Sequence, residues 1–231
     1  MTLPEEKAAG LAFLPVFATI GFYLLPANWQ LQPAVQFAPQ LMAYGALIVW
    51  VYRNVDQLHK LGLDFRHIRP GLLWGTVTGI MMGAVNTVTI IYVIPALGID
   101  ISFLSRTPHA QVPFWIMVPW FIMVIAIAVE LNFRGFLLGR LLAWFHNVRQ
   151  PDHPSGIRIR LQALLPLSIS ALTFSCDPFM VTTFRDLHWI AVWDGLVWGW
   201  MWMRMHNLYA VITAHAVEVI LLYLIIRGML A

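Results

Sequence analysis

Stretches of roughly 20 mostly apolar residues recur along the chain, and they constrain its fold more than any other feature. A helical run of that length matches the hydrocarbon thickness of a bilayer. Of the 231 residues, 60% are hydrophobic and 11% are charged, whereas soluble domains carry about 25% charged residues. The sequence therefore predicts an all-α fold, a polytopic transmembrane helical bundle that forms a single membrane domain over residues 1–231.

About seven spans are predicted, at residues 8–25, 34–52, 71–97, 113–145, 162–181, 189–204 and 207–226. The N-terminal residues lack the basic region of a signal peptide, which favours a retained first span. A segment with Pro154 and Gly156, residues 152–160, is interpreted as a cytoplasmic loop.

The distribution of basic residues predicts the orientation of these spans. One set of alternate segments holds Lys7, Arg53, Lys60, Arg66, Arg69, Arg140, Arg149, Arg158, Arg160 and Arg204. The other set holds only Arg106, Arg185 and Arg227. Cytoplasmic loops carry the excess of Lys and Arg. We therefore expect an integral protein of a bacterial inner membrane, with its N-terminus in the cytoplasm and its C-terminus outside.

Glycine recurs at every fourth position of the third predicted span, at Gly75, Gly79 and Gly83. The sixth span repeats the spacing at Gly195 and Gly199. Small residues at this spacing let two helices approach closely in lipid. We interpret both stretches as helix-packing faces.

Ionisable side chains interrupt the apolar spans at Glu130, Arg134, Asp177, Asp194, His215 and Glu218. Each should pair, titrate or line a wet cavity, because an unpaired charge in lipid is costly. Glu130 and Arg134 share one helix face, and so do His215 and Glu218. Two structural alternatives stay open: a neutralised Glu130–Arg134 pair that only holds the bundle together, and a His215 that is simply a hydrogen-bonded core residue.

Positions along the helices predict which of these groups meet. At about 1.5 Å per residue, His215 lies on the order of 12 Å inside the cytoplasmic start of its span. Glu130 approaches the same side, so the two side chains can meet. The partner of Asp177 is not determined by the sequence. Asp177 can join this site, or either Asp177 or Asp194 can form a separate pair with Arg185 near the outer face.

Several classes of site and partner are not indicated by the sequence. The net charge of +3 gives no nucleic-acid signal, and the single cysteine, Cys176, excludes an internal disulfide framework. No H-E-x-x-H or paired-cysteine motif occurs, so neither a metal nor another cofactor is predicted. The expected partners are membrane lipid and a membrane-associated protein or peptide.

Two segments carry a family resemblance. Residues 129–137 read V-E-L-N-F-R-G-F-L, and residues 215–219 read H-A-V-E-V after a glycine-containing span. They resemble the motifs E-E-x-x-x-R, continuing F-R-G-x-L, and H-x-x-x-N of the CAAX-protease and bacteriocin-processing membrane proteins, the CPBP or Abi family. The resemblance covers about residues 61–231, which would form the family-like core.

The resemblance implies an intramembrane endopeptidase that cleaves a membrane-associated protein or peptide. In the family, a glutamate and a histidine assist the attack of water on a peptide carbonyl. The implied site residues are Glu130, Arg134 and His215, with Glu218 and Asp177 available to rebuild a shifted site.

Three positions depart from the family motifs. Val129 aligns with the first glutamate, Pro178 with the histidine of the second motif, and Val219 with the asparagine of the third. Glu130 cannot simply replace its neighbour, because one residue turns a side chain by about 100° around the helix. The alternative is a catalytically inactive member that serves as a membrane scaffold or partner-binding subunit.

Overall fold

A computed structural model describes residues 6–148 and 156–230, and every regular element among them is helical. The nine principal helices are α1 (Phe13–Tyr23), α2 (Ala38–Arg53), α3 (Ile68–Val88), α4 (Ile125–Glu130), α5 (Gly139–Val148), α6 (Gly156–Ser175), α7 (Pro178–Phe184), α8 (Ile190–Met205) and α9 (Leu208–Leu230). Short α- or 3₁₀-helices lie at Ala9–Ala12, Ala27–Gln30, Pro33–Gln36, Gln57–Leu61, Phe65–His67, Ile94–Ala96, Ser102–Arg106, Pro108–Gln111, Phe114–Ile116 and Arg185–Leu187. Wider π-helical runs lie at Thr89–Val93, Met117–Val124 and Leu131–Leu138. The predicted all-α fold class is confirmed for these residues.

Three described stretches are long and apolar enough to cross a membrane: Gln57–Ala96, Phe114–His146 and Leu208–Met229. A fourth exists if Ala163–Ser175 and Pro178–Leu187 form one span broken by a 54° bend. These stretches correspond to the predicted third, fourth, seventh and fifth spans.

The remaining predicted spans correspond to shorter helices. Helices α1, α2 and α8 contain 11, 16 and 16 residues, fewer than the roughly 20 that a straight span needs. The fifth predicted span is bent. Its break falls at Cys176 and Asp177, and Pro166 lies inside α6. Residues 152–155 of the predicted loop at 152–160 lie outside the described residues, whereas residues 156–160 are helical, because α6 begins at Gly156.

Contacts within the chain define two compact units. The first unit comprises Met1–Gly62 and Leu131–Arg204, and the second comprises Leu63–Glu130 and Met205–Ala231. Helices α1, α2, α5, α6 and α7 and all but the last residue of α8 belong to the first unit, whereas α3, α4 and α9 belong to the second. The single membrane domain stays a prediction.

The glycine face of α3 packs directly against α9 in the second unit. A Cβ atom added to Gly79 would lie 2.6 Å from the Ala214 carbonyl oxygen and 2.8 Å from Val217 Cβ. One turn further along, a Cβ atom on Gly83 would lie 3.3 Å from Glu218 Cα. The predicted packing face is therefore confirmed, and it fixes the register of α9 against α3.

The second glycine pair packs in the same way within the first unit. A Cβ atom on Gly195 of α8 would lie 2.9 Å from both Cα and Cβ of Ala171 on α6. A Cβ atom on Gly199 would meet the side chain of Leu167, also on α6. This contact brings the buried indole of Trp198 into the core of the first unit.

Gly79→Ala should destabilise the protein, because its Cβ atom would overlap the backbone of α9. Overpacking of this kind costs about 1–3 kcal/mol, which outweighs the roughly 1 kcal/mol by which alanine improves helix propensity. Gly45→Ala in α2 is the matched control, since no atom lies within 4 Å of its added Cβ. Thermal unfolding in detergent should show a lower midpoint for Gly79→Ala only, and equal midpoints would contradict the close contact.

Candidate functional site

A histidine and a glutamate meet between α9 and α4 in the second unit. Nδ1 of His215 lies 2.7 Å from Oε1 of Glu130, the last residue of α4. The Glu130 side chain has no exposed surface, whereas the His215 side chain keeps 13% of its surface exposed. The expected meeting of these two residues is therefore confirmed.

The direction of this hydrogen bond depends on the protonation state of the pair. When the Glu130 carboxylate is ionised it can only accept, and Nδ1 of His215 is then the donor. In a neutral imidazole the other ring nitrogen, Nε2, then carries the basic lone pair. An ionised Glu130 would therefore set both the tautomer and the orientation of His215, which is the arrangement that a histidine base requires.

A second buried carboxylate lies one turn further along α9. Glu218 accepts a hydrogen bond at Oε1 from Nδ2 of Asn86, and both residues are almost completely buried. Asn86 belongs to α3, so this bond joins the two helices beside their glycine contact. Asn86 is not among the site residues predicted from the sequence. The sequence does contain an indication of its role, because Asn86 is a polar residue three positions after Gly83 in an apolar span.

Arg134 is packed against aromatic rings in the first unit. Its guanidinium carbon lies 4.4 Å from the centre of the Phe174 ring and 5.3 Å from that of the Trp198 ring. The side chain is completely buried. Cation–π contacts of this kind stabilise a desolvated guanidinium. A catalytic role for Arg134 stays a prediction.

Asp177 occupies the break between α6 and α7, also in the first unit. It accepts hydrogen bonds from Gln40 Nε2 at 2.9 Å and from the Phe179 backbone nitrogen at 3.0 Å. The second bond caps the N-terminus of α7. These bonds give Asp177 a structural role within the first unit, and its catalytic assignment stays a prediction.

No group of three or more His, Cys, Asp and Glu side chains that could hold a metal ion occurs within residues 6–148 and 156–230. The structure brings His215 together with Glu130, and Glu218 together with Asn86. These side chains can transfer protons and form hydrogen bonds.

A double-mutant cycle measures the bond between α3 and α9. Asn86→Leu alone should destabilise the protein by about 1–3 kcal/mol, because Glu218 loses a buried donor. Adding Glu218→Leu should recover part of this loss, since the carboxylate that needed the donor is also removed. Unfolding free energies in mixed micelles should deviate from additivity by more than 0.5 kcal/mol, the usual limit for independent sites. Additive effects would contradict the bond.

Comparison with known proteins adds no relative of known function. No protein-family model matches the chain, and neither a curated protein nor a solved structure matches it. Membership of the CPBP family stays a prediction, and the function has to be inferred from the residues of the site and their geometry.

Proposed function

We propose that this protein is a CAAX-protease-like intramembrane endopeptidase that cleaves a membrane-associated protein or peptide. The 2.7 Å hydrogen bond between His215 and Glu130 carries the proposal. Each residue lies in a stretch long and apolar enough to cross a membrane. An ionisable pair in such a position is costly and is typical of functional sites.

In this proposal His215 is the general base and Glu130 is the carboxylate that orients it. Nε2 of His215 removes a proton from water as the water attacks the peptide carbonyl, and the resulting imidazolium then protonates the departing amine. Glu130 stabilises the imidazolium through Nδ1. The partial exposure of His215 and the complete burial of Glu130 support this division of roles. General acid–base catalysis of this kind contributes about 10²- to 10⁴-fold in rate.

Glu218 and Asn86 act as positioning residues in the proposed enzyme. Their hydrogen bond holds α9 against α3 one turn from His215, so it limits the directions in which the imidazole can point. Arg134 and Asp177, the remaining residues implied by the family resemblance, have no step assigned to them in this proposal.

The proposed topology has seven spans, with the N-terminus in the cytoplasm of a bacterium and the C-terminus outside. The asymmetric distribution of Lys and Arg supports it. Helices α1, α2 and α8 would supply the three shorter spans, which a bilayer accommodates by local thinning at a modest free-energy cost.

The alternative is a catalytically inactive member of the family that serves as a scaffold or binds a membrane partner. Val129, Pro178 and Val219 favour it, because each replaces a polar residue of the family motifs with an apolar one. A scaffold needs the helix packing around His215 but no proton transfer from it.

Glu130→Gln and His215→Gln distinguish the two functions. Each should lower the rate of cleavage of prenylated or membrane-anchored peptides by at least about 100-fold, because the base loses its orientation or its lone pair. His59→Gln, at an exposed histidine outside the site, is the matched control and should keep the wild-type rate. Elution volume and unfolding midpoint establish that each variant is folded.

If the wild-type protein cleaves none of these peptides, the proposed endopeptidase function is contradicted. The scaffold would then be supported if a partner co-purifies equally with the wild-type protein and with both site variants.

A further inference from the structure

We infer that the first unit contains a carboxylate-binding site for an acidic peptide, which the chain's own Glu6 occupies as a tethered ligand. The site is formed by Trp50, Asn54, Lys60 and Arg140, and we call these four residues the Glu6 pocket. It is separate from the residues assigned to the proposed protease.

Both oxygens of the Glu6 carboxylate are engaged in the pocket. Trp50 Nε1 donates to Oε1 at 2.6 Å, and Arg140 Nε lies 3.4 Å from the same atom. Lys60 Nζ lies 3.3 Å from Oε2. One neutral donor and two cations therefore converge on a single carboxylate, which is how proteins recognise an acidic side chain.

The same pocket also binds the peptide backbone beside Glu6. Asn54 Oδ1 accepts a hydrogen bond from the Lys7 nitrogen at 3.0 Å, and Asn54 Nδ2 donates to the Lys7 oxygen at 2.9 Å. These two bonds depend on the backbone of the ligand and on no particular side chain. The pocket thus recognises a glutamate side chain together with the backbone of the residue that follows it, whatever the side chain of that second residue.

The pocket residues are held by one another as well as by Glu6. Asn54 Nδ2 donates to the Trp50 oxygen at 3.0 Å, Lys60 Nζ donates to Asn54 Oδ1 at 3.1 Å, and Arg140 Nη2 donates to the Lys60 oxygen at 3.1 Å. The Arg140 guanidinium also lies 4.2 Å from the centre of the Trp50 ring. A pocket with its own hydrogen bonds is preorganised for its ligand.

The charges of the pocket require an anion. Lys60 and Arg140 carry two positive charges against the single negative charge of Glu6. Arg140 is 4% exposed, and its buried Nη1 has no hydrogen-bond partner within residues 6–148 and 156–230. Buried cations without an anion are strongly unfavourable, so a second carboxylate should enter when Glu6 leaves.

Glu6 itself is attached in a way that allows exchange. It lies in irregular backbone ahead of the short helix Ala9–Ala12, whereas the pocket residues lie in α2, directly after α2 at Asn54, in Gln57–Leu61 and in α5. A ligand on such a short tether has an effective concentration in the millimolar range. An acidic peptide from a partner should therefore bind only after the N-terminal segment is released.

Peptide exchange tests this inference. A site-specific protease sequence is inserted between Ala8 and Ala9, and the folded protein is cut in detergent so that residues 1–8 are held by noncovalent contacts only. The probe is a fluorescein-labelled peptide with the sequence of residues 1–8, and the control peptide carries Gln at both glutamates. Fluorescence anisotropy measures the binding of each.

The acidic peptide should bind the cut protein at least tenfold more tightly than the control peptide, and Arg140→Gln should remove the difference. The uncut protein should bind neither peptide. Equal binding of the two peptides, or no exchange, would overturn the inference. Unfolding of the cut protein on losing its segment would also overturn it, since Glu6 would then be part of the core and not a ligand.

Discussion

An ionisable side chain can remain inside an apolar helix only where a partner lies within reach, because desolvation of an unpaired charge is too costly. This constraint explains the second unit, where His215 meets Glu130 and Asn86 donates to Glu218. It also explains the first unit, where Arg134 packs against aromatic rings. The polar chemistry of the chain is consequently concentrated at a few positions in the apolar helices.

The polar pairs depend in turn on close backbone packing. Because the glycines of α3 have no side chains, α9 lies directly against that helix and its rotation is fixed. Glu218 then points toward Asn86 on α3, and His215, three residues earlier, points toward Glu130 on α4. A larger residue at Gly79 would push α9 away and disturb both pairs together.

The sequence predicted the features that depend on composition and local spacing. The long apolar spans, the glycine face and the meeting of His215 with Glu130 follow from run length, four-residue spacing and depth along the helix. The partners of other polar groups could not be predicted, because they depend on helix rotation and on contacts between distant segments. Gln40 and Asp177 are an example, since they are separated by 137 positions. The helix break at Cys176 and Asp177 could not be located from the sequence, because the apolar pattern continues across it and Pro166 lies within an unbroken helix.

The hydrogen bond between His215 and Glu130 is most directly tested by ¹⁵N magnetic resonance of histidine-labelled protein in lipid bilayers. Its signals can be assigned by comparison with His215→Gln. We expect a proton on Nδ1 of His215 and a change in that resonance in Glu130→Gln, because the carboxylate that accepts the hydrogen is lost. An Nδ1 atom without a proton, whose resonance is the same in Glu130→Gln, would contradict a hydrogen bond from His215 to Glu130.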